Sequence, residues 1–529
     1  MLKHLHRCSC NYLVRWGLRY VGDASTSGIS SNTINTISNC LKIKESEAHY
    51  MCLKHPTITK LKDQEIIEIV ETVKELGYPK KVLVEQPLLF SSLPITLKYR
   101  HQVLTECGFE NITTKHLTSY LTLVKQKTVA ELKKSKVIPA VLNIENRLAS
   151  YMTQWPTSLT TLIVGDAEEK TLYQLRLKII QRYLELVLDL TEEEFYRGVQ
   201  TYATIKHRPL AVINESLTLL QSSLRIPKEK IKNNLYLIHT DPENLKHIIF
   251  EFRAIAGIDI KEIVKLHPKI AMKNFKTLFE MRRVLQNYNI SDEAQAKCFP
   301  IYTLSPETVS ERLEKAKEIP EFEVLFNHPR FLKMIYYNKT AIKRLQSLYS
   351  NNKKCLSLNV LSGCSDHYKL FEKAPGDRSG KGKDLIFCLS EAFGKKISAS
   401  LIRRQIQRHQ YWINVPVVQV KYVFKKLSTH FTDKEIYENC TILLYPWSKV
   451  NETIKLINAN GKNNKSPLSN IIDNVDYSKL NKSQVLSLVL YLLEKKHYFT
   501  GNGIWTEEQK QNIEFSYVEG THNIKDSSA

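Results

Sequence analysis

The chain has little of what most enzyme classes and small secreted folds require. Its ten cysteines are scattered over 529 residues, with no Cys-x-x-Cys pair. A zinc cluster or a disulfide framework is therefore not expected, and reduced, mostly buried thiols are. Only 17 glycines are present, few for an all-β protein of this length. The longest apolar stretch of the C-terminal third, Val485 to Leu493, falls short of the roughly 18–20 residues that span a bilayer. No membrane partner is expected. There is no His-Glu-x-x-His, no Gly-x-Ser-x-Gly and no clustered carboxylate pair. No catalytic residue, cofactor site or metal site can be named, and an enzyme is the least supported class.

Acidic residues are also short: 54 against 76 Lys and Arg, a formal charge of +22. A self-repelling excess of this size points to a polyanionic partner, with a solvated basic surface as the alternative. The first acidic residue is Asp23. Before it come Lys3, Arg7, Arg15 and Arg19, interleaved with Leu2, Leu5, Leu13, Val14, Trp16 and Leu18, and a Ser/Thr-rich stretch follows from Ser25. A basic, amphipathic, acid-poor leader has the composition of a mitochondrial transit peptide. Arg15 and Arg19 break the apolar core that a secretory signal needs. Residues 1–40 are assigned to this leader and a disordered segment, with cleavage between about 20 and 40.

What is present in quantity is helical periodicity. LKDQEIIEIVETVKEL (61–76) places Ile66, Ile67, Val70, Val73 and Leu76 on one face, and Gly77 and Pro79 end the run. Similar stripes occupy Leu172–Leu190, Leu245–Ala256, Phe275–Tyr288, Val309–Ile319, Ala341–Tyr349, Val417–Leu427 and Lys482–Glu494. The β-like fragments Leu162–Val164 and Ile442–Leu444 are too short to found a sheet. Prolines punctuate the stripes at Pro56, Pro87, Pro209, Pro242, Pro268, Pro300, Pro329, Pro416 and Pro446, many 26 to 33 residues apart, while Pro306 and Pro320 fall off that series. Proline ends one helix and fits the first turn of the next, so it sets a corner between short helices. Units of about 30 residues that cannot bury their own apolar face must stack on neighbours. The predicted fold is all-α, an α-solenoid of tandem helical repeats wound into a curved superhelix. The predicted segments are irregular N-terminal repeats over 50–205, regular repeats over 206–450 with a loop insert near 362–384, a linker over Asn458–Ser466, and a helical cap and tail over 467–529. The cap either seals the end of the solenoid or docks a protein.

The tandem units IVKLHPKIAMKNFKTLFEMRRVL (263–285) and VLFNHPRFLKMIYYNKTAIKRL (324–345) resemble the mitochondrial transcription termination factor family. The likeness extends over roughly residues 50–450 and includes the block LIRRQIQRHQYWINVPVVQVKYVFKKL (401–427). Residues 100–200, without regular prolines, and the Pro/Gly-rich stretch 350–385 depart from the pattern. The resemblance implies a solenoid whose inner surface grips double-stranded mitochondrial DNA in the matrix nucleoid and regulates transcription. Another mitochondrial transcription factor is a possible partner. Two rivals remain open: binding of mitochondrial ribosomal RNA during ribosome assembly, and a protein adaptor that reaches DNA only through a second factor.

The charge is not uniform. Residues 331–430 hold 19 Lys and Arg against Asp366, Glu372, Asp377, Asp384 and Glu391. Helical phase places Lys339 and Lys343 one turn apart with Arg344 beside them, Arg404 and Arg408 likewise with Arg403, and Lys421 and Lys425 with Lys426. Like charges at this spacing repel by a few tenths of a kcal/mol per pair, so a phosphate-bearing partner is predicted for these nine; a solvated face is the alternative. Asn338, Gln405, Gln407, His409 and Gln410 are candidates to read base edges, and Tyr336, Tyr337, Tyr411 and Trp412 to stack on a base, although such aromatics are more often core. Gly376–Lys383 only superficially resembles a phosphate loop: three residues instead of four separate its glycines and Gly382 follows the lysine. It is read as a flexible loop.

Overall fold

The fold, a computed structural model, describes residues 31–152, 166–460 and 479–496. These residues are predominantly helical with almost no strand, as predicted, and form tandem helical repeats. Each clear repeat is a short helix, a 3-10 turn of five residues, and a long helix. In the regular region the triplets are Glu192–Thr201, Ala203–His207 and Leu210–Thr218, the last continued by Leu219–Ser223; Ile260–Leu266, Pro268–Met272 and Phe275–Asn287; and Asp292–Ala296, Phe299–Thr303 and Pro306–Glu318. The third helices begin at Leu210, Pro242, Phe275, Pro306 and Asn338, 31 to 33 residues apart.

That register corrects the proline series, which mixes two structural positions. Pro87, Pro268 and Pro300 open or enter the 3-10 turn. Pro94, Pro242 and Pro306 open the long helix, and Pro209 and Pro416 are its N-caps. Both positions tolerate a missing N–H. Pro306, discordant by spacing, is thus equivalent to Pro242.

The chain divides into two compact units, Met1–His247 and Ile248–Ala529, whereas the sequence division fell at 205/206. In the first unit the chain already folds within the segment assigned to leader and disorder. Ser31–Leu41 is a helix that buries Thr33, Ile37 and Leu41 and packs on Glu45–Lys54 and Asp63–Glu75. The residues 1–30 of the predicted leader, and Leu162–Val164, lie outside the described residues. The long helix Leu172–Leu188 starts at a capping box in which Thr171 and Gln174 exchange backbone bonds. It buries Leu175, Ile179, Ile180, Leu184 and Leu188.

The second unit opens with the one strand pair among the described residues, Ala254–Ile255 against Ile258–Asp259. The helical run predicted to reach Ala256 instead ends at Phe252. Ala256 and Gly257 both take positive φ, +52° and +75°, the geometry of a two-residue hairpin turn. Beyond Asn338–Ser350 come Leu358–Ser362, Ser365–Lys373, Lys383–Ala392, Ala399–Ile406, Val417–Leu427, Asp433–Glu438, the 3-10 turn Cys440–Leu444, and Trp447–Asn460. Residues 458–460 therefore continue a helix instead of starting a linker; 461–466 lie outside the described residues. The helix predicted over Lys482–Glu494 spans Lys482–Lys496 and packs on Trp447–Asn460, Asp433–Glu438 and Cys440–Leu444. Ser483 Oγ donates to Glu438 at 2.7 Å and Ser487 Oγ to Asn439 at 2.7 Å.

Candidate nucleic-acid interface

The nine predicted cations fall into three groups. Arg403, Arg404 and Arg408 lie on or just after Ala399–Ile406, which starts where Ser398 accepts the Leu401 N–H and buries Ile402 and Ile406. Burial of that stripe leaves the three guanidiniums exposed. On Val417–Leu427 the buried stripe is Val417, Val420, Val423, Phe424 and Leu427, so Lys425 and Lys426 are exposed. Both helices pack on Lys383–Ala392 and on Cys440–Leu444. The two helices that carry these five cations thus share two packing partners. Lys339 and Lys343 are also exposed, but their helix Asn338–Ser350 packs on Leu332–Tyr336 and Leu358–Ser362. They form a separate pair.

Two of the nine are otherwise engaged. Arg344 is buried, and its Nη1 donates to the carbonyls of Val360 (3.1 Å), Leu361 (3.3 Å) and Gly363 (2.9 Å), while its guanidinium lies 4.7 Å from the Tyr368 ring centre. A rigid, planar cation suits the orphan carbonyls and negative dipole at a helix C-terminus, so Arg344 is withdrawn from the interface. Lys421, 38% exposed, pairs with Glu323 at 2.7 Å. The acidic residues that share the basic region are mostly spent on other groups. Asp377 accepts the N–H groups of Lys354 and Cys355, Asp384 that of Leu358, and Glu372 the hydroxyls of Ser347 and Tyr368. Lys339, Lys343, Arg403, Arg404, Arg408, Lys425 and Lys426 consequently have no carboxylate partner among the described residues.

The proposed base readers and stackers divide in the same way. His409 is a core residue: Nε2 lies 3.3 Å from the Tyr445 hydroxyl and Nδ1 accepts the Tyr411 N–H. Asn338 is buried too, whereas Gln407 and Gln410 are exposed and Gln405 half-exposed. Tyr337 is exposed and meets Tyr336 edge-on. Trp412 is packed over Gly382, where a Cβ would come within 2.1 Å of its ring. The loop Gly376–Lys383 is accordingly fastened, in contrast to the flexible loop predicted. Besides Asp377, Ser379 N–H donates to the Ile413 carbonyl and Asn414 Nδ2 to that of Asp377. Gly376, Gly380 and Gly382 take the positive φ this path needs.

Sequence reading missed a repeated device of which Arg344 is one case. Arg312 Nη1 donates to the carbonyls of Ile335 and Tyr336, and Arg282 Nη2 to those of Phe252 and Ala254. An arginine of one long helix thus caps the end of another element in three successive repeats. The signal was legible as Arg282, Arg312 and Arg344, 30 and 32 residues apart on the stripe-bearing helices. Also missed was Tyr422, exposed, with the Lys426 ammonium 5.5 Å from its ring centre.

Among the described residues no group of three His, Cys, Asp or Glu is placed to hold a metal ion, and no helix is long and apolar enough to cross a membrane. The fold defines a tandem helical-repeat protein, and seven of its predicted cations are exposed with no carboxylate partner among the described residues. No family model matches the chain, and no solved structure matches it. Among curated proteins, mitochondrial transcription termination factor 5 of Drosophila melanogaster is 32% identical over 466 residues, covering 87% of this chain and 81% of that relative. The chain belongs to the mitochondrial transcription termination factor family, as the repeat units indicated.

Proposed function

We propose that this protein binds double-stranded mitochondrial DNA without catalysis and thereby regulates transcription in the matrix, at the nucleoid. The observation that carries the reading is the set Arg403, Arg404, Arg408, Lys425 and Lys426, five exposed cations on or just after two helices that pack on the same two elements, with no carboxylate partner among the described residues. Such groups neutralise backbone phosphates and release condensed counterions, which gives affinity and position but little sequence information. Gln407, Gln410 and Tyr422 are the exposed neighbours available for base contact. The relative's name adds the mitochondrial and transcriptional setting.

Import by the basic leader fits a cleavage before Ser31, which leaves the packed helix Ser31–Leu41 intact. N-terminal sequencing of the organellar protein tests this. The function itself is tested by crosslinking in intact mitochondria, followed by sequencing of recovered DNA and RNA. A discrete DNA peak supports the proposal. Recovery of ribosomal RNA alone would favour ribosome assembly, and DNA recovered only when a second protein is present would favour an adaptor.

A further inference from the structure

The first unit also holds a group of cations with no ion pair to a carboxylate among the described residues. Its centre is Tyr173, half-buried in the first turn of Leu172–Leu188. The Lys125 ammonium lies 5.4 Å from the ring centre and that of Lys206 6.0 Å from it. The His207 imidazole tilts against the same ring, centre to centre 5.9 Å. Lys125 ends the helix Tyr120–Lys125, and Lys206 and His207 end the 3-10 turn Ala203–His207. Three elements therefore bring these groups together.

Two nearby arginines serve the fold. Arg176 is bound to Glu106 and to the Arg208 carbonyl, and Arg100 donates to Ser92 Oγ and the Leu117 carbonyl. Lys125 and Lys206 have no such commitment among the described residues. The Tyr120 hydroxyl, which burial keeps protonated, sits 3.3 Å from His207 Nδ1. Donation there leaves the proton on Nε2, which is then a donor. Burial first, then Lys125, Arg176, Arg100 and Lys206, push the imidazole down to about 4. The four charges that act on it most strongly are all positive.

We propose that Lys125, Lys206 and His207, grouped around Tyr173, form a phosphate-binding site in the first unit, occupied by a phosphodiester of the bound nucleic acid. Both ammonium groups contact the Tyr173 ring by cation–π interaction, and the anion offsets their mutual repulsion. The inference rests on the nucleic-acid reading above and adds a contact remote in sequence from residues 403–426.

The test uses the full chain and a labelled DNA duplex, with binding measured across a salt series. The double variant Lys125→Gln/Lys206→Gln removes two phosphate contacts, so the slope of log K on log salt should become shallower by about 1.8. Lys125→Arg/Lys206→Arg should restore it, which separates charge from folding. In parallel, the His207 imidazole resonance is titrated alone, with inorganic phosphate and with duplex; both anions should raise its midpoint. An unchanged slope in the Gln variant alongside normal wild-type binding overturns this site and leaves the function standing. Absence of salt-dependent binding by the wild type overturns both. A His207 response to inorganic phosphate and none to duplex makes the pocket a small-anion site and overturns its assignment to nucleic acid.

Discussion

Glu106 carries more of the first unit than its place near the end of an ordinary helix suggests. The helix Leu210–Thr218 begins after Pro209, which offers no side-chain oxygen to cap it. Glu106, 104 residues upstream, supplies the cap: Oε2 accepts the Leu210 N–H at 2.9 Å and Oε1 the Ala211 N–H at 3.0 Å. Oε2 also takes Arg176 Nη1 at 2.9 Å, with the two side chains 1% and 0% exposed. Arg176 Nη2 then reaches the Arg208 carbonyl and Arg208 Nη2 that of Thr240, which Ser216 Oγ also bonds. Glu106→Ala strips a buried guanidinium of its counterion and leaves two helix N–H groups without acceptors. Breaking one side of a buried pair costs about 3–5 kcal/mol, and for a unit of this size each kcal/mol lowers Tm by roughly 2–4 °C. A fall of about 6–20 °C is expected, with a lower urea midpoint and an unchanged m-value as the signature of lost stability. Glu106→Gln keeps the shape and one acceptor oxygen, and should fall between. A loss below about 1 kcal/mol in Glu106→Ala would refute the reasoning, because a truly unpaired Arg176 cannot be that cheap.

Three further outcomes follow from the same geometry. Arg344→Ala should cost about 2–3 kcal/mol of stability through its lost charged bonds to carbonyls; Lys343→Ala, one residue away, should stay within about 0.5 kcal/mol and act on duplex affinity instead, so melting and binding curves separate the two. Glu323→Gln breaks an exposed pair worth at most about 1 kcal/mol and frees Lys421; it should leave Tm nearly unchanged and tighten duplex binding, as anisotropy would show. His207 and His239 are each held near 4 in the folded protein, chiefly by burial. The unfolded chain binds protons first as pH falls below about 6.5, so stability is full above that value. It is lost toward pH 4, by up to about 3 kcal/mol per histidine. Denaturation midpoints of the double variant His207→Gln/His239→Gln should show a flatter acid limb.

The helical class and most helices were legible because burial follows a 3.6-residue stripe: the span Val417–Leu427 was read without error, and Phe275–Tyr288 to one residue. Repeat phase was harder to read, since proline is tolerated at two corners of each unit and its spacing alone cannot say which. The basic face was half legible. Helical phase put Lys339, Lys343, Arg404 and Lys425 outward correctly, but it could not show that a neighbouring helix end would claim Arg344 or that Glu323, 98 residues before Lys421, would meet it. Long-range polar partners carry no local period. The same reason hid Glu106, whose partners lie 70 and 104 residues on, and the lysines around Tyr173.

The central claim is that Arg403, Arg404, Arg408, Lys425 and Lys426 meet phosphate. The most direct measurement is duplex affinity of the full chain against salt, for the wild type and for the variant with all five changed to Gln. Losing five phosphate contacts should make the variant's slope shallower than that of the wild type by about 4.5. Equal slopes for the two proteins, with both folded, would contradict the account.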